Sequence, residues 1–185
     1  GVENFNYFNY IEKLNSFSSS FTQYTYNEKG SLVKESNGAL LYKKKSKYIL
    51  EYLSPNKIKF ISDGALVTTL DIDLDQAIIQ STNNKAQNNF FEIMTNKDEI
   101  NKKFILKSYL YNNDNYVKFV PKNKELENNI FLLIIKDSKI KKITFMNDFD
   151  QSVTMVFSDF KVNLDVLDSS FKIDIPENFD VIIDK

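Results

Sequence analysis

Three aspartates at alternate positions are the first residues in this 185-residue chain whose spacing suggests chemistry. Asp71, Asp73 and Asp75 lie on one face if their segment is extended, because strand side chains alternate between two faces. Three carboxylates so close together would suit a calcium ion. A calcium-binding loop, however, has glycine at its sixth position and glutamate at its twelfth, where this chain has Gln76 and Thr82. The pattern therefore indicates a solvated turn after a strand.

The residue types that are missing exclude most kinds of catalytic site. The chain contains no histidine and no cysteine, so the common nucleophile–base pairs, zinc sites and disulfides cannot be built. It also has none of the glycine-rich phosphate loops or the nucleophile motif of the hydrolases. The sequence therefore predicts a protein that is not an enzyme and that needs no cofactor.

The charges are balanced and the positive ones are all lysine. The chain has 24 lysines and 25 acidic residues, which gives a net charge of −1. Lysine lacks the planar fork with which arginine reads guanine or clamps phosphate, so we expect no nucleic-acid partner. The cluster Lys43, Lys44, Lys45 and Lys47 is typical of a solvated strand end, although it could also touch anionic lipid headgroups or a membrane-embedded partner.

The stretch from Gly38 to Gly64 predicts three strands joined by tight turns. In the middle strand Tyr48, Leu50 and Tyr52 share one face because strand side chains have a period of two. That face is apolar but carries two phenol hydroxyls, which suits the wall of a cavity better than a sealed core.

Two segments break this strand pattern. Residues 3–16 place apolar side chains at helical spacing, namely Phe5, Phe8, Ile11 and Leu14, with Tyr7 beside them. Residues 88–102 contain a second apolar group, which predicts a short helix near 89–95 and a helical turn near 97–102: Phe90, Phe91, Ile93 and Met94. About eleven strands remain, the last near Phe171 to Ile175. We predict a mainly β (α+β) protein of one domain, 1–185, whose single curled antiparallel sheet forms an unclosed half-barrel with a short-helix lid over an apolar cavity.

An ordered set of short motifs resembles the periplasmic outer-membrane lipoprotein carrier LolA family. The matches begin with Phe21-Thr22-Gln23 and run in register through the central stretch: Gly38, Leu40, Lys43, Lys44, Tyr48, Pro55, Ser62, Asp63 and Gly64. Later markers follow in the family's order: Asp71, Asp73, Leu74, Gln76, Pro121-Lys122, Asp150-Gln151, Phe171, Pro176 and Asp180-Val181-Ile182. The resemblance covers nearly the whole chain. Lysine replaces the family's gate arginine at Lys44 and its proline at Lys45, leucine replaces its tryptophan at Leu50, and the proline expected before the lid is absent near Asn88-Asn89.

The resemblance implies a site for acyl chains between the sheet and the lid. Its residues would be Phe21, Tyr48, Leu50 and Tyr52 on the sheet and Phe90, Phe91, Ile93 and Met94 under the lid. Lys44 would be the lid gate, with its ammonium group hydrogen-bonded to lid carbonyls.

The function that the resemblance implies is a periplasmic chaperone that shuttles lipoproteins from the inner to the outer membrane. We expect a monomer whose signal peptide has been removed. Its partners would be triacylated lipoproteins, an inner-membrane ABC-type releasing complex and an outer-membrane receptor. Two alternatives stay open: an outer-membrane receptor of the same fold, which would need a lipidated N-terminal cysteine, and a lipid-sensing regulatory domain.

Overall fold

The computed structural model describes residues 5–82 and 90–184. Strands dominate this part of the chain, with two α-helices and three short 3-10 helices. In chain order the elements are α1 (Tyr7–Lys13), β1 (Ser16–Tyr26), β2 (Leu32–Lys43), β3 (Lys47–Ser54), β4 (Ile58–Asp63), β5 (Leu66–Asp71), β6 (Gln76–Ser81), a 3-10 helix (Phe90–Met94), α2 (Lys97–Lys103), β7 (Phe104–Tyr111), β8 (Asp114–Pro121), a 3-10 helix (Lys124–Leu126), β9 (Phe131–Lys136), β10 (Lys139–Met146), β11 (Ser152–Val162), a 3-10 helix (Asp168–Phe171) and β12 (Asp180–Asp184).

All twelve strands belong to one curled sheet in the order β12-β6-β5-β4-β3-β2-β1-β11-β10-β9-β8-β7. Neighbouring strands are antiparallel except for β12, which runs parallel to β6. The sheet begins at β12 and ends at β7, so it remains unclosed. The predicted mainly-β half-barrel is therefore confirmed, with twelve strands in place of about eleven.

The predicted last strand near Phe171 to Ile175 is wrong. This segment is extended, but it crosses the outer face of the sheet without joining it, and Ile173, Ile175 and Phe179 pack against a small outer core of Ile61, Leu70 and Ala77. In an extended chain that lies on the sheet, alternate side chains face the sheet and the others face solvent. Alternating burial therefore occurs here without hydrogen bonding to a neighbouring strand. The last strand is β12, where Asp180 N donates to the carbonyl oxygen of Asp75.

Helix α1 lies within the predicted 3–16 segment, but a different set of side chains is buried. Asn6 caps the helix, its side chain accepting a hydrogen bond from Asn9 N at 3.1 Å, so the first helical residue is Tyr7. From that start, one face contains Tyr7, Ile11 and, just past the end, Leu14, and all three are buried in the main core. Phe5 and Phe8 of the predicted stripe are only partly buried at its margin.

Candidate functional site

The concave face of the sheet has an aromatic wall on strands β1 to β4. Strand register places Tyr42 opposite Tyr48, Leu40 opposite Leu50 and Gly38 opposite Tyr52, so these residues share a face. Phe21 lies opposite Gly38 on the other side. The structure thus brings together the four sheet residues expected to bind cargo. Phe21 and Tyr48 are buried, whereas Leu50 and Tyr52 are partly buried against the same core.

Gly38 allows this wall to be flat. A Cβ atom at this position would lie 1.9 Å from the carbonyl oxygen of Glu51 and 2.9 Å from Cζ of Phe21. The Phe21 ring therefore passes over a residue without a side chain and meets Tyr52 edge to face, with ring centroids 5.3 Å apart. The Tyr52 hydroxyl donates to Oε1 of Gln23 at 2.6 Å, and burial raises the pKa of Tyr52 to about 12.

The lid is the 3-10 helix Phe90–Met94, and its apolar side chains fill the space against the wall. All four predicted lid residues are buried: Phe90, Phe91, Ile93 and Met94. The Phe91 ring stacks on Tyr48 with centroids 3.8 Å apart and an angle of 6° between the planes. Phe90 stacks in turn on Phe91 at 4.3 Å. The concave face is thus closed by its own lid.

Two tyrosine hydroxyls hold the lid backbone. Tyr7 of α1 donates to the carbonyl oxygen of Ile93 at 2.6 Å, and Tyr42 of β2 donates to that of Met94 at 2.9 Å. Burial raises the pKa of Tyr42 to about 12 and that of Tyr7 well above 10, so both donors are neutral phenols at physiological pH. Two consecutive carbonyls are therefore satisfied from two different elements, a pair of contacts that we call the tyrosine latch.

Neither member of the tyrosine latch is among the site residues predicted from the sequence. Their signal was nonetheless present, because Tyr42 alternates with Leu40 on the apolar face of β2 and Tyr7 falls within the helical segment. A tyrosine on a buried face needs a partner for its hydroxyl. What the sequence does not reveal is which distant carbonyl accepts that hydrogen bond.

In the structure, the ammonium group of Lys44 has a partner other than the expected lid carbonyls. Its Nζ donates to the carbonyl oxygen of Glu12, in the last turn of α1, and its backbone N–H donates to Asn15 O at 2.9 Å. Lys44 directly follows β2, where the sheet end meets the end of α1. The last carbonyls of a helix lack partners within the helix, which favours a cation at this place. Lys44 therefore fastens α1 to the sheet.

The rest of the lysine cluster is divided between the C-terminal segment and solvent. Lys43 Nζ donates to Oδ1 of Asp168 and to the carbonyl oxygen of Val166, both at 2.7 Å, and Lys47 lies 3.8 Å from the same carboxylate. The hydrogen bond from Lys43 is the main reason that the pKa of Asp168 is lowered. Of the four lysines, Lys45 alone is exposed. The cluster is thus in part a clamp for the segment that crosses the outer face.

An open groove of about 750 Å³ lies at the end of the sheet between α1, the β2–β3 turn and the end of the lid. Its lining includes Phe8, Glu12, Lys44, Thr95 and Asp98. Mixed charge and partial exposure distinguish the groove from the apolar wall. The groove is open to solvent and borders α1, which carries Tyr7, and the residues directly after β2, which carries Tyr42.

The Ser62-Asp63-Gly64 motif fixes the turn beside this groove. Ser62 Oγ donates to the carbonyl oxygen of Ser46 at 2.6 Å, which ties the β4–β5 turn to the β2–β3 turn. Gly64 has φ of +101°, and a Cβ there would lie 2.9 Å from the Lys45 carbonyl oxygen. The motif therefore has a structural role at the mouth of the half-barrel.

Glu92 is the one acidic residue of the lid. It is partly buried beside an open cavity of about 530 Å³ whose floor includes Phe104 and Phe131. Burial raises the pKa of Glu92, and the nearby Lys103 opposes this shift. A half-buried carboxylate on the lid is less easily ionised than one in water.

The three alternating aspartates form turns. Asp71 Oδ1 accepts a hydrogen bond from Leu74 N at 3.1 Å, and Asp73 Oδ2 accepts one from Lys57 N at 3.2 Å. Asp75 has a φ of +51°, the left-handed conformation that aspartate tolerates in turns. The carboxylates of Asp71 and Asp73 are thus used to cap backbone N–H groups.

The chain is similar in sequence to known lipoprotein carriers. Residues 12–174 match the family model described as outer membrane lipoprotein carrier protein LolA. The outer-membrane lipoprotein carrier protein of Francisella philomiragia subsp. philomiragia is 30% identical over 177 residues, which cover 94% of this chain and 85% of that protein. The protein of the same name from Francisella tularensis subsp. tularensis is 25% identical, with 93% and 83% covered.

Solved structures support the fold. An uncharacterized conserved protein from Thermus thermophilus aligns with a TM-score of 0.57 at 10% identity, covering 95% of this chain and 96% of that one. Similarity at this level of identity supports the architecture alone. Among the described residues, the helices are all too short or too polar to cross a membrane.

Proposed function

The chain belongs to the outer membrane lipoprotein carrier protein LolA family, and we propose that it shelters the acyl chains of lipoproteins on the concave face described above. Membership of this carrier family fits a non-enzymatic role, a periplasmic location and lipoprotein cargo. The observation that supports the acyl site most directly is the pairing of an apolar aromatic wall with a lid held by two neutral hydrogen bonds.

Acyl chains need such a shelter to cross water. Each buried methylene contributes roughly 0.8 kcal/mol, so one chain of about sixteen carbons gains on the order of 12 kcal/mol when it is buried. Three chains on one lipoprotein gain several times as much. The concave wall offers an apolar surface that lies within the folded protein and needs only to be uncovered.

The lid now occupies the place that we assign to the acyl chains. Phe90, Phe91, Ile93 and Met94 are buried against the wall. Burial of an apolar side chain contributes about 1.5–3 kcal/mol, so the four together contribute about 6–12 kcal/mol. One acyl chain would therefore roughly balance the lid, and a second and third would displace it. Cargo and lid compete for one surface, which allows reversible loading.

The groove beside Lys44 is the route by which cargo reaches the wall in this proposal. Lys44 is a gate in an indirect sense, because it fastens α1, and α1 contributes Tyr7 to the tyrosine latch. We further propose that the chain acts in the periplasm as a single domain, 1–185, and as a monomer. It would receive triacylated lipoproteins from an inner-membrane ABC-type complex and pass them to an outer-membrane receptor.

A charge placed on the wall tests the proposal. Tyr48→Glu puts a carboxylate against the acyl chains, and Leu53→Glu on the same strand is the control, because Leu53 is exposed and points to the other face. Native mass spectrometry with a synthetic triacylated peptide should show one-to-one binding by the wild type and by Leu53→Glu. Binding by Tyr48→Glu should fall at least tenfold, since an unpaired buried charge costs several kcal/mol. Equal binding by the two variants would contradict the assignment of the wall.

A further inference from the structure

Among the residues that the structure describes, the outer, convex face of the sheet has one covered half and one bare half. Over β4 to β6 it is covered by the C-terminal segment, whose Ile173, Ile175 and Phe179 pack on the small outer core. Over β7 to β10 the convex side chains are those that alternate with the buried residues Val117 and Leu133. We call this bare half the β7–β10 outer face.

Positive charge is concentrated on these four strands. They contain six lysines and one carboxylate, that of Asp114, which pairs with Lys141 at 3.2 Å. The other five lysines have no ion pair in the part of the chain that the structure describes; they are Lys107, Lys118, Lys136, Lys139 and Lys142. The chain as a whole has a net charge of −1, so this concentration is local.

Two pairs of these lysines lie directly opposite each other across neighbouring strands. Lys107 is opposite Lys118, and Lys136 is opposite Lys139. Like charges in directly opposed positions destabilise a sheet. The arrangement therefore opposes folding stability, and an anionic partner that covers the face would remove the repulsion.

Exposed aromatic and aliphatic side chains stand among the lysines. Tyr109 stacks on Tyr116 with ring centroids 4.9 Å apart, and Tyr111 meets Tyr116 edge to face. Tyr109 and Tyr111 are 51% and 60% exposed, and Ile105 on the same face of β7 is 52% exposed. Tyrosine is favoured at the boundary between lipid headgroups and acyl chains because one end is apolar and the other polar.

We propose that the β7–β10 outer face docks on the surface of an anionic phospholipid bilayer. The lysines contact the headgroup phosphates as point charges, and Tyr109, Tyr111 and Ile105 reach into the interfacial layer. Exposed apolar side chains among the lysines favour a bilayer over an acidic protein surface, where charge alone would suffice.

Vesicle binding by the full chain without cargo tests this inference independently of the carrier function. Vesicles of phosphatidylcholine with about one-third phosphatidylglycerol are compared with pure phosphatidylcholine in a sedimentation assay. A lysine near an anionic surface strengthens binding about fivefold. Replacing Lys107, Lys118 and Lys142 with Gln should therefore weaken binding on the order of 100-fold, whereas the triple control at Lys29, Lys34 and Lys57, which are exposed elsewhere, should bind like the wild type.

Three results support the inference together: binding to the anionic vesicles alone, its loss in high salt, and weaker binding after Tyr109→Ser with Tyr111→Ser. Failure of the wild type to bind the anionic vesicles overturns it, and so does equal weakening by both lysine triples. Soluble polyglutamate provides the remaining arm. Binding to polyglutamate as tight as to the vesicles, with no effect of the tyrosine changes, would assign the face to an acidic protein and also overturn the inference.

Discussion

Replacing Tyr42 with phenylalanine removes one half of the tyrosine latch with little other change. The ring stays between Phe17 and Phe91, whose centroids lie 5.1 Å and 6.3 Å away, and only the donor to Met94 O is lost. The lost hydrogen bond leaves the buried carbonyl oxygen of Met94 without this donor, which costs about 1–3 kcal/mol. We expect lid opening to become easier by about fivefold to 150-fold.

Hydrogen exchange of the amides of residues 90–95 measures this effect. Tyr52→Phe is the matched control, because it removes another phenol whose pKa burial raises to about 12 and whose bond to Gln23 lies away from the lid. Faster exchange in Tyr42→Phe alone supports the latch. Unchanged exchange in Tyr42→Phe, or equal acceleration in the control, would show that the Tyr42 hydroxyl does not hold the lid.

The latch should also respond to alkali. The pKa of Tyr42 is raised to about 12 from 10, so its neutral form is favoured in the folded state. Its contribution to stability is therefore present below pH 10 and is lost as the pH rises from 10 to 12. We therefore expect the protection of the lid amides against hydrogen exchange to stay constant between about pH 6 and about pH 9.

Three further substitutions separate the roles assigned to other residues. Lys44→Leu should loosen the end of α1 while changing lid exchange at 90–95 far less than Tyr42→Phe does; the reverse order would restore Lys44 as the direct lid contact. Because burial raises the pKa of Glu92, the ionised form disfavours closure, so the lid should tighten as the pH falls through that pKa towards 4.5. Glu92→Gln should abolish this pH dependence of lid exchange, and a variant that retains it would contradict the assignment. Gly38→Ala should destabilise the fold by about 3 kcal/mol in urea unfolding, because its Cβ would meet a backbone oxygen; an unaltered midpoint would show that the wall tolerates it.

The sequence predicts the sheet well because alternation is a local signal. Tyr48, Leu50 and Tyr52 share a face in the structure because a period of two needs no knowledge of the partner strand. The same signal misleads at Phe171 to Ile175, where alternate burial arises from a chain that lies on the outer face of the sheet. Periodicity shows which side chains are buried, and pairing depends on distant residues.

The lid residues were predictable, whereas their attachment was not. Phe90, Phe91, Ile93 and Met94 were identified as an apolar group, and the structure packs them on the wall. The donors to the lid lie 86 and 52 residues away in sequence from their acceptors. A family position suggested Lys44 for this role, but its ammonium group reaches a carbonyl in the last turn of α1, close to the sheet end.

Hydrogen exchange on the loaded protein shows whether cargo takes the place of the lid on the concave wall. The wild type is compared with and without a bound triacylated peptide, with the amides of residues 90–95 as the readout. We expect these amides to lose protection when the peptide binds, while strands β1 to β3 keep theirs. One-to-one binding that leaves lid protection unchanged would place the acyl chains elsewhere and overturn the proposed competition between cargo and lid.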